Sequence, residues 1–233
     1  LLMALTNLVE VGIMLAILGR SSPLRLMRRS GMPRFGVAAV VACVASVATA
    51  EAGLMAAGYR PTVAGASLWF AANLLGLLVF TPLLLTALNR RLAELFGANR
   101  IQTALGLGFL VIVSTATFLQ SSLPLLFLPA AALTLVAIRS GIAGAAFGAL
   151  LVSIIAVVAT AHDVGPLVLV AGEAARRFIV LQLFLATLTV IALTVGMTFA
   201  ERRKLIERLT RARVVRRAKI ARERQMIDHA RLA

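Results

Sequence analysis

The stretch 127-FLPAAALTLVAIRSGIAGAAFGALLVSIIAVVATA-161 carries one charge, Arg139, in an otherwise apolar run. A hydrocarbon core about 30 Å thick is crossed by roughly 17 to 25 helical residues. The run is therefore too long for one crossing and reads as two spans, 124–138 and 142–161, with Arg139, Ser140 and Gly141 as the link. Working outward with the same measure, five more spans are predicted at 1–18, 35–57, 66–88, 101–119 and 178–200. The fold expected is an all-α, polytopic transmembrane bundle of about seven spans with a C-terminal cytoplasmic helix. Leu1 opens an apolar run without an initiating methionine or a charged flank, so at least one further helix is expected upstream.

Composition agrees with a lipid solvent. Of 233 residues, 61% are hydrophobic and 14% charged, against about 45 to 50% and about 25% in soluble domains. The 24 Lys and Arg against 9 Asp and Glu give a net charge of +15, which in bulk would suggest nucleic acid. Their positions exclude that reading. If the connection after the first span is cytoplasmic, so are Arg20, Arg25, Arg28, Arg29, Arg34, Arg90, Arg91, Arg100, Arg139 and the basic tail from 201 onward. Only Arg60, Arg176 and Arg177 fall on the other side, an alternation that follows the positive-inside rule through all seven spans. The predicted topology is multi-pass with a cytoplasmic C-terminus.

The outer connections, about 58–65, 120–123 and 162–177, are each too short to fold alone, since a domain needs at least about 50 residues. Any external signal must then be read within the bundle or at its edge. Polar residues inside the spans are the candidates. At about 1.5 Å of rise per residue, Asn7, Glu51 and Asn73 come out at a common level in the outer half, with Glu10 about a turn deeper and Gln182 a little higher. Trp69, Asn73, Gly76 and Phe80 share one face of the third span by their spacing. A carboxylate at mid-membrane costs about 2.5 to 3.5 kcal/mol on insertion scales, so it should face the bundle and find a partner. Asn7, Glu10, Glu51, Trp69, Asn73 and Gln182 thus form an expected polar layer. It is either a signal-binding pocket or interhelical glue, whose bonds contribute on the order of 0.6 to 2 kcal/mol.

Other features point to packing. Gly144 and Gly148 have small-xxx-small spacing, and Ala38, Ala42, Ala45 and Ala48 suggest close approach in the second span. Pro82 and Pro129 each remove a helix donor and are candidate kinks. His162 beside Asp163 is a candidate pH-sensitive pair. Cys43 is the lone cysteine, and His162 and His229 form no metal-ligand spacing, so no metal or cofactor is expected. From Glu201 the chain becomes "ERRKLIERLTRARVVRRAKIARERQMIDHARLA", free of glycine and proline and rich in helix formers. Leu205, Leu209, Ala212, Val215, Ile220, Ile227 and Ala230 form a stripe broken by Arg216 and Glu223. It reads as a dimerising signalling helix with a weak coiled-coil seam, or as an anchor to anionic lipid. The domains expected are 1–200, the bundle, and 201–233, the linker helix.

Asn7 to Arg20, "WFAANLLGLLVFTPLLL" at 69–85, the run from 127 to 166 and "LQLFLATLTVIALTVGMTFAERRKLIERL" at 181–209 resemble the MASE1 integral membrane sensor domain. Asn7, Glu10, Trp69, Asn73, Gly76 and Pro82 match its recurrent positions. The resemblance implies an input module of the bacterial inner membrane that senses an unidentified small-molecule or membrane-derived signal and drives a cytoplasmic output domain beyond Ala233. A diguanylate cyclase is the first expectation for that domain and a histidine kinase the second. The competing class is a small-molecule or ion transporter using Glu10 and Glu51. No catalytic residues are expected in this stretch; the expected partners are the bilayer and a second copy, through the C-terminal helix.

Overall fold

The computed structural model describes residues 2–19, 31–88, 100–170, 172 and 174–232. Arg20, Arg25, Arg28, Arg29, Arg90 and Arg91 of the predicted basic connections lie outside the described residues. Among the described residues the regular elements are all helices: α1 (Leu2–Leu18), α2 (Met32–Ala56), α3 (Val63–Leu88), α4 (Arg100–Leu119), α5 (Phe127–Ala161) and α6 (Ala174–Leu232). A 3-10 turn, Pro166–Leu169, precedes α6. Five stretches are long and apolar enough to cross a membrane: α2, α3, α4, α5 and the Ala174–Arg213 part of α6; α1 is a shorter apolar helix of 17 residues. Leu8, Leu15, Val37, Val44, Phe109, Ile112, Leu135 and Ile154 all stand exposed. In water so much outward apolar surface would aggregate; in lipid it faces its own solvent.

The long α5 is two helices. Gly141 sits at φ 65° and ψ −151° inside it, a region where a Cβ is strongly disfavoured. Across this break a methyl group on Gly148 would come within 2.6 Å of Leu133 Cδ1, and one on Gly144 within 3.4 Å of Val136 Cγ1. In a straight helix Leu133 and Gly148 would lie about 22 Å apart along the axis. The chain therefore doubles back at Gly141, and the two arms pack antiparallel along the Gly144 and Gly148 face. The small-xxx-small spacing serves this fold-back.

α6 closes against the same turn. A methyl on Gly196 would reach the Gly141 carbonyl carbon and oxygen at 2.9 Å and Ile142 N at 3.2 Å. The start of α2, through Met32, meets Ile142 and Met197 around one crevice that also includes Pro82 and Leu85 of α3. The described basic residues Arg34 and Arg139 are thus carried on segments that converge at one end of the bundle. The opposite end is tied by the connections after α4 and α5. Gln120 Oε1 accepts from Ser122 N at 3.0 Å and Leu123 N at 2.8 Å, and Gly165 N donates to Ser121 Oγ at 3.0 Å. Gly165, at φ 105°, leaves only 2.8 Å between a would-be Cβ and the Phe118 carbonyl, which brings Pro166 and Leu167 back into the core.

Two cores result. One joins α4, both arms of α5 and α6 around Leu110, Phe118, Leu133, Val152, Leu181, Leu185 and Leu193. The other, the first core in chain order, joins α1, α2 and α3 around Met14, Phe35, Ala38, Ala39, Ala42 and Leu78, and takes in Ala186 of α6. Residues from Thr198 onward form a separate unit, helical through Leu232, with exposed side chains from Arg202 to Arg213.

Several boundaries differ from expectation. α2 and α3 each start three residues before the predicted ends, at Met32 and Val63, because Pro33 is well placed in the first turn of a helix and the residues from Val63 onward hydrogen-bond helically. Pro129 is the third residue of α5, where no helix donor is needed, so it introduces no kink. Pro82 is buried inside α3, which runs on to Leu88.

Candidate functional site

The first core contains a polar junction of three helices. On α1, Thr6, Glu10, Met14 and Leu18 form the buried stripe at four-residue spacing. On α2, the small residues Ala39, Ala42, Cys43, Ser46 and Ala50 face it, so α1 approaches closely and its carboxylate reaches inward. Leu2 fills the space beside Gly53, which fixes the antiparallel register and sets Glu10 level with Ser46. Asn73 of α3 completes the set: its Nδ2 donates to Glu10 Oε2 at 3.1 Å and to Ser46 Oγ at 3.2 Å. Glu10 is 9% exposed and Ser46 fully buried.

One amide nitrogen thus joins α3 to both α1 and α2. Its two N–H groups are spent on these bonds. The Ser46 hydroxyl in turn is within hydrogen-bonding reach of the Glu10 carboxylate, which leaves the Asn73 carbonyl oxygen Oδ1 and the remaining carboxylate lone pairs as acceptors. That set can hold a small polar or cationic guest, or hold the three helices to one another. The partners of Glu10 here are uncharged; the ion pair of Arg177 Nη1 with Asp163 Oδ1 at 3.1 Å lies at the exposed start of α6.

The other expected members fall elsewhere. Asn7 is exposed on the outer side of α1 and does not join; depth was inferred from the sequence, but the side of the helix was not. Glu51 is half-buried and sits five positions beyond Ser46, about 8 Å nearer the α2 C-terminus. It forms no hydrogen bond or ion pair among the described residues. The common level is therefore Glu10, Ser46 and Asn73 in place of Asn7, Glu51 and Asn73. The reason is the earlier start of α3, which lowers Asn73 to about 15 Å below its first residue. Trp69 is half-buried one turn from Asn73, Gly76 is open to its surroundings, and Phe80 is exposed, so the predicted face of α3 is only partly internal. Gln182 lies on α6 in the second core, beside Leu181. Asp163, at a left-handed φ of 55° that ends α5, pairs with Arg177 and not with His162.

Ser46 went unread in the sequence. Its signal was the run Ala39, Ala42, Ser46 and Ala50 at three- and four-residue spacing, a small-residue stripe with one hydroxyl in it. Toward the other end, an apolar crevice of about 380 Å³ lies between α2, α3 and α6, lined by Met32, Gly36, Leu78, Val190, Thr194 and Met197. Among the described residues no group of three or more His, Cys, Asp or Glu could hold a metal ion.

An all-helical bundle with five helices long and apolar enough to cross a membrane is the build of an integral membrane domain. The chain belongs to the MASE1 family, whose family model matches residues 1–203. It is accordingly a membrane sensory module and not a catalytic domain. No curated protein and no solved structure matches the chain.

Proposed function

We propose that this chain is the inner-membrane input module of a bacterial signalling protein. It crosses the bilayer seven times, counting the arms of α5 on either side of Gly141 as two crossings, and ends in the cytoplasm. The Glu10–Asn73–Ser46 junction carries the reading: it is the place in the first core where three helices depend on one set of hydrogen bonds. A signal that competes for Asn73 or Glu10 releases α3 from α1 and α2 and selects a second packing. A ligand shifts such a two-state bundle only by its differential affinity for the two packings. The helix from 201 onward then passes the change to the output domain, for which a diguanylate cyclase is the first reading and a histidine kinase the alternative.

The orientation is supported by Arg34 and Arg139 lying on segments that meet at one end, and by the basic tail. A carrier built on paired Glu10 and Glu51 fits less well, since the two carboxylates are about five helical positions apart in depth. The test is response in the full-length protein. Glu10→Gln and Asn73→Ala should alter output, measured as cyclic di-GMP, while membrane insertion stays intact. Unchanged response in both variants reduces the junction to glue. Periplasm-active reporters fused at Gly58 and Ser122, and a cytoplasm-active one after Ala233, check the sidedness.

A further inference from the structure

The helices of this chain satisfy most of their hydroxyls locally. Thr49, Thr134, Thr187 and Thr189 each donate to the carbonyl four residues back, at 2.7 to 2.8 Å. Ser114, Thr117 and Ser153 depart from that habit: their hydroxyl oxygens are buried and have no hydrogen-bond partner among the described residues. Gln182 Oε1 is in the same condition. Ser114 is 0% and Thr117 2% exposed. Unpartnered buried polar atoms are rare and call for a cause.

The packing register brings these atoms to one level. Gly106 sits opposite Val136, which in turn meets Gly144; Leu110 and Leu133 both pack on Gly148. The second arm of α5 therefore runs parallel to α4, with residue 144 beside 106 and 148 beside 110. Continued upward at equal rise, Ser114 is level with Val152 and Thr117 with Ile155. α6 runs the other way from its contact between Gly196 and Gly141, which sets Gln182 level with Ile155 too. Ser114, Thr117, Ser153 and Gln182 thus fall within about 5 Å in depth, on three helical segments sharing one core. Immediately beyond this level the connection after α5 returns: Gly165 packs on the carbonyl of Phe118, and Leu167 is buried beneath it. Thr160, also unpartnered, lies above, nearer the end of α5.

We infer that this level is a second binding site, separate from the Glu10 junction, for a small uncharged hydroxylic ligand held between α4, the second arm of α5 and α6 beneath the Gly165–Leu167 turn. The chemistry follows from the groups. Three hydroxyls can donate or accept, and the amide oxygen accepts. No Asp, Glu, Lys, Arg or His stands at this depth on the three segments, so a charged guest has no counter-ion. Water and short alcohols share the required chemistry; a buried water typically makes about three hydrogen bonds, which this set can supply.

Water-edited solid-state NMR on the full chain in deuterated lipid tests it. Thr189 is the internal control, because its hydroxyl is as deeply buried (1% exposed) but bonded to the Leu185 carbonyl. Transfer from water to Thr117, Ser114 and Ser153 should build up several-fold faster than to Thr189, and Thr117→Val with Gln182→Leu should abolish it at Ser114. A second arm saturates the methyl protons of added ethanol. Transfer from ethanol to Thr117 assigns an alcohol, and transfer from water alone assigns water. Build-up at Thr117 no faster than at Thr189, with no transfer from ethanol, overturns the site. The readout involves neither Glu10 nor signalling output, so it stands or falls apart from the proposed function.

Discussion

Removing Asn73 should loosen the first core by an amount that can be worked from its two bonds. They run at 3.1 and 3.2 Å to different helices, and interhelical bonds in membranes contribute about 0.6 to 1.7 kcal/mol each. Asn73→Ala should then cost about 1.2 to 3.4 kcal/mol. The share belonging to Glu10 is isolated by a double-mutant cycle with Glu10→Ala. The expected coupling is one bond's worth, about 0.6 to 1.7 kcal/mol, or roughly a 3- to 20-fold change in the unfolding constant. Glu10→Gln keeps an acceptor oxygen in reach of Asn73 Nδ2 and should stay within about 0.5 kcal/mol of the parent. Equilibrium unfolding by steric trapping in bicelles reads all four corners. Single effects that add to within about 0.3 kcal/mol in the double variant would refute the argument that the Asn73 bond to Glu10 holds α3 to α1.

The remaining predictions concern the turn, the outer end and the tail. Gly196→Ala places a methyl 2.9 Å from the Gly141 carbonyl and should cost about 1 to 3 kcal/mol. Gly76→Ala meets nothing within 4 Å and should be neutral or stabilising by up to about 1 kcal/mol; thermal unfolding in detergent compares the two, and equal effects would count against the close approach. Arg177→Ala removes an ion pair whose Asp163 side is 77% exposed, so the loss should not exceed about 1 kcal/mol and should vanish in high salt. The 201–233 helix fused to a soluble reporter should raise its dimerisation, measured by sedimentation, and Leu205→Glu with Leu209→Glu should reverse it.

The helical class and most span positions were legible because a membrane imposes a length, and Arg139-Ser140-Gly141 interrupts an apolar run too long for one crossing. Helix starts were legible only to about a turn, and that uncertainty propagated into depth: three extra residues at the start of α3 moved Asn73 from the level of Glu51 to that of Glu10. Burial cost draws attention to Glu10 and Asn73, since each is expensive in lipid and must find a partner, and the two are hydrogen-bonded to each other. It could not tell which side of α1 Asn7 occupies, because apolar residues surround that helix on every face and leave no amphipathic stripe to orient it. Ser46, Ser114, Thr117 and Ser153 escaped notice for the opposite reason. A hydroxyl can be satisfied by its own helix and so carries almost no burial signal, and only the tertiary register shows which ones are not.

The two cores are joined through α6, and this has a mechanical consequence. Ala186 belongs to the core of α1, α2 and α3, packed with Leu78 and Ala38, while Leu181, Leu185, Leu188, Ala192 and Leu193 belong to the core of α4 and α5. Leu78 is on the same helix as Asn73, less than two turns along, and it also lines the crevice against Val190 and Met197. A repacking of α3 at the Glu10 junction therefore meets α6 at Ala186 and at the crevice wall, where an apolar void leaves room to move. On its other side α6 is held by the backbone contact of Gly196 with Gly141, which permits no closer approach. Displacement of α3 toward α6 is then more readily taken up by rotation or sliding of α6 along the Gly141 turn than by compression across it. A Gly196→Ala variant should shift the balance between packings as well as stability, whereas a defect confined to the second core away from α6 should change stability alone.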